Sequence, residues 1–118
     1  MEAHQISTID AHGLKQALDR GDELLLLDAR LPDAYEEGHL PGALLATSDT
    51  IIDDAPRLIG DSSATVVTYC GSLSCRRSQR AAERLANLGY RVTEFPAGME
   101  EWTQAGYPVQ AGPDPSHG

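Results

Sequence analysis

The chain has 118 residues, of which 41% are hydrophobic and 23% are charged. This length and composition are typical of one globular domain and exclude a fibrous repeat or a wholly disordered chain. The formal net charge of −9, from 9 basic and 18 acidic residues, produces an average field that repels nucleic acid and anionic membranes, so we expect neither as a partner.

No pattern in the chain indicates export or membrane insertion. The longest aliphatic run, residues 24–27, is far shorter than the roughly 20 residues that a membrane-spanning helix needs. The first residues contain neither the basic segment nor the apolar stretch of a signal peptide. The sequence therefore predicts a cytoplasmic protein.

The first half of the chain alternates strand-like and helix-like segments. In chain order, the predicted elements are a strand at 5–9, a helix at 11–20, a strand at 24–27, a helical turn at 33–37, a strand at 43–46 and a helix at 49–59 that Pro56 breaks. Asp10 is a suitable N-cap for the first helix, and Gly21 is a suitable C-cap. Because residues 24–27 are continuously apolar, we expect this strand to be covered on both faces.

The second half continues the alternation. The predicted elements are a strand at 65–69, a helix at 77–88 with Gly89 at its end, a strand at 92–95 and a short helix at 98–104. Strands that alternate with helices are typical of an α/β domain with a parallel sheet. Residues 1–109 are predicted to form this domain, and residues 110–118, rich in Gly and Pro, a flexible C-terminal tail.

The two cysteines, Cys70 and Cys75, lie in the loop between the strand at 65–69 and the following helix. They are too few for a zinc site, and the histidines have no metal-ligand spacing relative to them, so no metal is expected. A disulfide framework also needs more cysteines and a secreted chain. A reactive thiol, a redox pair and two inert core cysteines remain as interpretations.

Cys70 holds the position at which ligands bind in open α/β sheets, the carboxyl end of a parallel strand directly before a helix. The small residues after it allow successive backbone N–H groups to point inward and bind an anion. The helix N-terminus and the neighbouring arginines add positive charge. The candidate anion-binding residues are Gly71, Ser72, Leu73, Ser74, Cys75, Arg76 and Arg77.

A loop of this kind is able to activate a thiol. A free cysteine, with a pKa of about 8.5, is only a few per cent thiolate at pH 7. Making it mostly thiolate requires roughly 2.7 kcal/mol of preferential stabilisation of the anion, of which a helix N-terminus supplies up to about 2 kcal/mol. Amide donors and Arg76 supply the remainder, so Cys70 is the candidate nucleophile without a histidine base.

Several stretches of the sequence resemble the rhodanese (sulfurtransferase) domain family, in matching order over nearly the whole chain. They are Leu-Asp-Ala-Arg at 27–30, Tyr-Glu-Glu-Gly-His-Leu-Pro-Gly-Ala at 35–43, Val-Val-Thr-Tyr-Cys at 66–70, Ala-Ala at 81–82, Leu-Gly-Tyr at 88–90, Gly-Met-Glu-Glu-Trp at 98–102 and Gly-Tyr-Pro-Val at 106–109. The resemblance implies a single domain with a five-stranded parallel sheet and helices on both faces.

The same resemblance implies a reaction. Cys70 takes a sulfane sulfur from an anionic donor such as thiosulfate as a persulfide, and passes it to a thiophilic acceptor, cyanide or a thiol. Asp28 and Arg30 match a family motif beside the active site for which a structural role is implied, and His39 is expected to be architectural. No nucleotide or flavin motif is present, so no cofactor is expected.

The loop differs from the usual sulfurtransferase pattern in its length. The Arg-Ser pair, here Arg77 and Ser78, follows Cys70 two positions later than usual. The longer loop places Arg76 in a Cys-x5-Arg spacing, which related phosphatases and arsenate reductases on this fold use for tetrahedral oxyanions. However, Tyr69 replaces the His that commonly precedes their nucleophile, and the loop contains no carboxylate to act as general acid. Sulfur transfer is therefore favoured over phosphatase or arsenate reductase chemistry.

Cys75 is the other departure, because a Cys-x4-Cys spacing resembles a recognisable variant of the family. Cys75 is a candidate resolving thiol that attacks the Cys70 persulfide, releases reduced sulfur and leaves a disulfide for a thioredoxin-type reductant to reset. It is equally a candidate for protecting Cys70 from over-oxidation, or for packing as a small residue against the sheet.

A third function class is a catalytically silent rhodanese-like module that binds a partner. The acidic first half of the chain would then be a docking surface, although a run of charge is usually a solvated face. The intact Cys70 and its Gly/Ser loop argue against this class, because silent modules tend to lose the nucleophile.

Overall fold

The computed structural model describes residues 6–60 and 64–114. Its elements, in chain order, are β1 (Ser7–Thr8), α1 (Ala11–Arg20), β2 (Leu24–Asp28), α2 (Pro32–Glu37), β3 (Leu44–Leu45), α3 (Ile51–Leu58), β4 (Thr65–Tyr69), α4 (Arg77–Asn87), β5 (Val92–Phe95) and α5 (Gly98–Gln104). A 3₁₀ turn, Ser48–Thr50, leads into α3. Within the described ranges, no helix is both long and apolar enough to cross a membrane.

The five strands form one parallel sheet, which confirms the predicted fold class. The strand order is β1-β5-β4-β2-β3, so β4 is the central strand. The carboxyl ends of parallel strands meet at one edge of the sheet. The loop after β4 therefore lies at the middle of that edge, flanked by the loops that follow β2 and β5.

Helices cover both faces of the sheet, and successive residues of β4 point to opposite layers. Val66 packs with the apolar faces of α3 and α4, whereas Val67 and Tyr69 pack in the layer that contains α1 and Trp102 of α5. By this alternation, the side chains of Thr68 and Cys70 point toward α4.

The predicted caps of α1 are confirmed. Asp10 Oδ1 accepts the N–H of Gly13 at 2.8 Å, which satisfies one of the free donors at the helix N-terminus. Gly21 has a φ of 80°, in the left-handed region that favours glycine at a helix end. The ends of this helix are therefore determined by local sequence.

Pro56 does not break α3, and that prediction is wrong. The helix runs through Pro56 to Leu58. Pro56 lacks the N–H that would bond to the carbonyl of Ile52, but Ile52 lies on the exposed face, where water can satisfy that carbonyl. The opposite face buries Ile51 and Ala55, and this burial keeps the helix against the sheet.

The two edge strands are shorter than predicted. β1 covers Ser7–Thr8 of the predicted 5–9, whose first residue lies outside the described part of the chain, and β3 covers Leu44–Leu45 of the predicted 43–46. Each of them pairs with one neighbour only, so fewer hydrogen bonds extend the strand than in the centre of the sheet.

The segment after Val109 is attached to the domain as far as it is described. Gln110 exchanges two backbone hydrogen bonds with His39, at 2.8 and 2.9 Å, and the N–H of Gly112 donates to the carbonyl of Glu36 at 2.9 Å. Asp114 is buried. Residues 110–114 thus continue the domain where the sequence predicts a flexible tail, and 115–118 lie outside the described residues.

Candidate active site

Cys70 follows the central strand directly and is completely buried. It points toward α4, whose first turn begins at Arg77. The predicted anion-binding residues therefore form a short connection between two well-packed elements, β4 and α4. This arrangement places the Cys70 sulfur between the end of the sheet and a helix N-terminus.

The structure joins Cys70 and Cys75 by a disulfide, with their Cα atoms 6.2 Å apart. This separation lies within the ordinary range for disulfides. The loop returns toward Cys70 through a turn in which the N–H of Cys75 donates to the carbonyl of Ser72 at 3.0 Å. The two cysteines therefore lie within bonding distance of each other, as a redox pair requires.

The first peptide groups of the loop are held by α5. The N–H of Met99 donates to the carbonyl of Cys70 at 3.0 Å, and the N–H of Glu100 donates to the carbonyl of Gly71 at 2.8 Å. In a trans peptide the C=O and the following N–H point in opposite directions. The N–H groups of Gly71 and Ser72 therefore point away from α5 and into the loop.

These amides are available to a ligand. Among residues 6–60 and 64–114, no protein acceptor is hydrogen-bonded to the N–H groups of the four residues after Cys70, which are Gly71, Ser72, Leu73 and Ser74. The hydroxyl groups of Ser72 and Ser74 lie 3.0 Å apart. Successive free amides in a tight turn are able to bind an anion.

Gly98 permits the approach of α5 to this loop, and sequence reasoning did not predict it as a site residue. A Cβ atom on Gly98 would lie 2.0 Å from the Cys70 carbonyl oxygen, and the φ of Gly98 is +57°. Both features require glycine. The signal in the sequence is the Gly-Met-Glu-Glu-Trp stretch at 98–102, which indicates the family resemblance but not this contact.

The two arginines at the start of α4 point in different directions. Arg77 forms an ion pair with Asp49, with Nη1 3.3 Å from Oδ2. Arg76 is exposed, and its Nη1 lies 3.5 Å from Oε1 of Gln79 on the same helix. Arg76 and Arg77 are predicted anion-binding residues and lie at the end of the loop. Neither guanidinium group is hydrogen-bonded to the loop.

The other two arginines of α4 also differ from each other. Arg80 is exposed. Arg84 is partly buried and donates to the carbonyl of Ser48. The four arginines at positions 76, 77, 80 and 84 therefore do not form one solvated helix face, because Arg77 and Arg84 attach α4 to the segment before α3.

A further contact, which the sequence did not reveal, holds the first turn of α4 on the sheet. The buried hydroxyl of Ser78 donates to Glu94 Oε2 at 2.9 Å. The hydroxyl of Thr68 donates to the carbonyl of Ser78 at 3.1 Å. β4, β5 and α4 are thus linked directly beneath the loop.

Asp28 and Arg30 form a buried ion pair beside the loop. Arg30 Nε and Nη2 donate to the carboxylate of Asp28 at 2.9 and 2.7 Å, and Nη2 also donates to the carbonyl of Gly38 at 2.6 Å. Burial lowers the pKa of Arg30, but the hydrogen bond and negative charge of Asp28 outweigh it and raise the pKa overall. A Cβ on Gly71 would lie 4.0 Å from Arg30 Cδ, so the pair lies beside the first loop residue.

Tyr69, directly before Cys70, has a structural contact of its own. Its hydroxyl oxygen accepts the N–H of Leu40 at 3.0 Å. Burial, together with the negative charge of Asp28, raises the pKa of Tyr69 far above its usual value. Tyr69 therefore stays protonated and neutral next to Cys70.

His39 packs within the segment that follows α2. Its ring stacks on Tyr35 at a centroid distance of 3.8 Å, and its Nδ1 lies 2.7 Å from the Tyr35 carbonyl oxygen. These contacts, together with the backbone bonds to Gln110, agree with the architectural role expected for His39.

A cleft of about 420 Å³ opens beside the loop, on the side of β1 and β5. Leu73, which is 71% exposed, forms one wall, and Pro96 and Ala97 form another. The cleft does not include the cysteines among its lining residues. It offers a place from which a partner molecule can approach the tip of the loop.

Most of the chain matches one protein-family model. Residues 10–105 match the model described as the rhodanese-like domain. This range includes every strand except β1 and contains the whole loop from Cys70 to Arg77.

Comparisons with individual proteins agree with this match. A sulfurtransferase of Allochromatium vinosum is 32% identical over 107 residues, which are 90% of this chain and 96% of that protein. The HTH-type transcriptional regulator Rv0324 of Mycobacterium tuberculosis is 33% identical over 96 residues, which are 81% of this chain and 42% of the regulator. The chain thus spans less than half the length of that regulator.

A solved structure gives the same fold. The BH2092 protein from Bacillus halodurans superposes with a TM-score of 0.81 at 28% identity, over 89% of this chain and 77% of that one. The arrangement of sheet and helices is therefore one that occurs in other proteins of known structure.

Proposed function

The chain belongs to the rhodanese-like domain family, and we propose that it is a sulfurtransferase that uses Cys70 as its nucleophile. It moves a sulfane sulfur from an anionic donor such as thiosulfate to a thiophilic acceptor, cyanide or a thiol. The similarity to a sulfurtransferase over nearly the full length of both proteins supports this reaction class.

One structural observation carries the proposal. Cys70 ends the central strand, and the four backbone amides that follow it are not hydrogen-bonded to any acceptor within the described residues. The carbonyl groups of Cys70 and Gly71 are held by α5, and this fixes the direction of the N–H groups of Gly71 and Ser72. Preorganised donors of this kind stabilise charge with little reorganisation.

The proposed reaction starts from the reduced loop. The Cys70 thiolate attacks the outer sulfur of thiosulfate, the S–S bond of thiosulfate breaks, and sulfite leaves with the bonding electron pair. Cys70 keeps the transferred sulfur as a persulfide anion, which the amides of residues 71–74 stabilise. Cyanide or a thiolate then attacks the outer sulfur and regenerates the Cys70 thiolate.

The proposed location is the cytoplasm, with the Cys70–Cys75 disulfide as a transient state. Cytosolic thiols are kept reduced, and disulfides that form there are usually catalytic or redox-sensing. The disulfide form cannot load sulfur, because its Cys70 sulfur is already bonded.

Mass spectrometry of the intact, reduced protein after incubation with thiosulfate tests the proposal. We expect Cys75→Ser, in which Cys70 is the remaining cysteine, to gain the mass of one sulfur atom, and Cys70→Ser to gain none. Addition of cyanide is expected to remove the sulfur and to release thiocyanate.

Two results would contradict sulfur transfer through Cys70. One is sulfur loading of Cys70→Ser equal to that of Cys75→Ser. The other is no loading by thiosulfate or mercaptopyruvate together with Cys70-dependent hydrolysis of an aryl phosphate, which would favour the oxyanion chemistry indicated by the Cys-x5-Arg spacing. If neither reaction occurs in the folded, reduced protein, the silent binding module becomes the better interpretation.

Arg76 is the proposed electrostatic guide for the anionic donor, because Arg77 is already paired with Asp49. We expect Arg76→Ala to raise the KM for thiosulfate about two- to fivefold with little change in kcat, the size typical of an exposed charge interaction. Steady-state kinetics at low ionic strength measure this effect.

Arg91→Ala is the matched control for Arg76. Arg91 is also exposed, but it precedes β5 and so lies at the opposite edge of the sheet from the loop. Arg84 is unsuitable, because it donates to the carbonyl of Ser48. Equal rises in KM for the Arg76 and Arg91 variants would mean that the donor responds only to net charge.

A further inference from the structure

We propose that Cys75 is an internal acceptor for the sulfur carried by Cys70, so that the loop releases hydrosulfide and closes a disulfide that a dithiol reductant reopens. This inference rests on the proposed function, because it begins from the Cys70 persulfide. It assigns Cys75 a catalytic role and adds a dithiol to the substrates of the protein.

The two sulfur atoms are bonded to each other while the first turn of α4 stays attached to β4. The loop that joins them contains the turn from Ser72 to Cys75, closed by a hydrogen bond of 3.0 Å. The Cα–Cα distance of 6.2 Å permits one S–S bond between the two residues. The disulfide is thus an accessible state of the same loop that presents the amides.

Both ends of the loop are attached to rigid elements. The Cys70 carbonyl accepts the Met99 N–H of α5. At the other end, Ser78 in the first turn of α4 donates to Glu94 of β5. Because the cysteines are held in this way, attack by Cys75 is an intramolecular reaction between positioned groups, and such reactions have high effective concentrations.

The release step balances in atoms and electrons. The Cys75 thiolate attacks the inner sulfur of the protonated persulfide, Cys70–S–SH. A bond forms between the two cysteine sulfurs, and the bond to the outer sulfur breaks. Hydrosulfide leaves with the electron pair and the proton. The outer sulfur is reduced to sulfide, and the two cysteine sulfurs are oxidised to a disulfide.

The reset step uses a small dithiol or a protein dithiol as reductant. Its first thiolate attacks one sulfur of the disulfide, and its second thiolate then displaces the protein thiolate and forms the reductant's own disulfide. Over one cycle, thiosulfate and the dithiol yield sulfite, hydrosulfide, the oxidised dithiol and one proton.

The exposure of the two cysteines determines which sulfur the reductant attacks. Cys70 is completely buried, whereas Cys75 is partly exposed. The incoming thiolate therefore reaches Cys75, and the Cys70 thiolate is the leaving group. This direction returns the nucleophile beside the free amides of Gly71 and Ser72, where its negative charge is stabilised.

A single-turnover experiment without oxygen tests the proposal. The reduced wild type and Cys75→Ser are freed of reductant, mixed with one equivalent of thiosulfate, and analysed for sulfite, sulfide and intact mass. Both proteins are expected to release sulfite. The wild type is also expected to release one equivalent of sulfide and to lose the mass of two hydrogen atoms. Cys75→Ser is expected to keep the added sulfur.

The expected difference in the rate of sulfide release is at least about 100-fold, because the variant lacks the positioned attacking thiol. Cys75→Ala is the second variant, and its agreement with Cys75→Ser shows that the thiol, rather than the volume of the side chain, is responsible. Alkylation of the loaded wild type followed by peptide mapping provides a readout that needs no variant.

The outcomes separate failure of the inference from failure of the proposed function. A wild type that keeps its persulfide while Cys75 remains alkylatable would overturn the role of Cys75 and leave sulfur transfer intact. If thiosulfate loads neither protein, the proposed donor chemistry fails. Loading with inorganic polysulfide, followed by removal of the excess, then decides the Cys75 step by the same sulfide and mass measurements.

Discussion

Replacement of Gly98 by Ala is expected to destabilise the protein by about 3 kcal/mol or more. A left-handed residue with a Cβ costs about 1–2 kcal/mol, and forcing an additional atom into a filled space costs typically about 1–3 kcal/mol more. The new Cβ would lie 2.0 Å from the Cys70 carbonyl oxygen and 2.7 Å from its carbonyl carbon. These are backbone atoms, which cannot yield as a flexible side chain can.

The same change is expected to move the loop in whatever protein remains folded. The overlap pushes α5 away from Cys70, so the hydrogen bonds from Met99 and Glu100 to the loop carbonyls lengthen. The rate of sulfur loading should therefore fall even at temperatures at which the variant is folded. Urea unfolding at 25 °C and the single-turnover loading rate measure the two effects separately.

Gly21→Ala is the matched control, because Gly21 also has a left-handed φ of +80°, but a Cβ at that position would have no neighbouring atom within 4 Å. Its free energy of unfolding should fall only by the cost of placing alanine in the left-handed region, about 1 kcal/mol. If the Gly98 and Gly21 variants unfold at the same urea concentration, the close contact between Gly98 and Cys70 is absent in solution.

Asp28→Asn is expected to destabilise the protein by about 3–5 kcal/mol, the usual result of removing one partner of a buried ion pair. The Asp28 side chain is completely buried, and Arg30 is only 16% exposed. The substitution leaves the Arg30 charge without its counterion in a site from which water is largely excluded. Loss of this support also loosens Gly38, whose carbonyl accepts a hydrogen bond from Arg30.

The surface pair of Arg20 and Asp22 provides the control. Its N–O distance of 2.7 Å equals that of the buried pair, but its side chains are 61% and 42% exposed. Exposed ion pairs contribute little to stability, so Asp22→Asn should hardly change the urea midpoint. Equal losses in Asp28→Asn and Asp22→Asn would show that burial of the first pair has no energetic consequence.

A double substitution separates the lost attraction from the cost of the unpaired charge. Asp28→Asn combined with Arg30→Met removes both charges, and it should be less destabilising than Asp28→Asn alone. A double variant that is less stable than the single one would contradict this explanation.

The sequence was sufficient to predict the main elements and the position of Cys70, the proposed nucleophile. The strand at 65–69 was predicted from its β-branched residues, and the following helix from the spacing of Ala81, Ala82 and Leu85. Both patterns are local, because they depend on the spacing of apolar residues within one element. Because Cys70 lies between these two segments, its place at the carboxyl edge of the sheet followed from their types and order. The caps of α1 were equally local, since Asp10 and Gly21 act within one turn of the helix.

Predictions that relied on a single local signal were less successful where tertiary packing opposes that signal. Pro56 is a strong helix breaker in isolation, but the buried face of α3 keeps the helix continuous. The Gly and Pro content after residue 109 indicated a flexible tail, whereas Gln110 is held by His39. In both cases contacts with distant parts of the chain outweigh local propensity.

The fold class, the family and the candidate nucleophile could be predicted from the sequence, because each is encoded in contiguous stretches whose spacing is visible in one dimension. Three contacts emerge only from the tertiary structure: Gly98 lies on the Cys70 carbonyl, Asp49 pairs with Arg77, and Cys75 returns to Cys70. The first follows from the strand order, because it places β5 beside β4 and so brings the start of α5 to the loop after β4. The second follows from the packing of α4 on the segment before α3, and the third from the turn between Ser72 and Cys75.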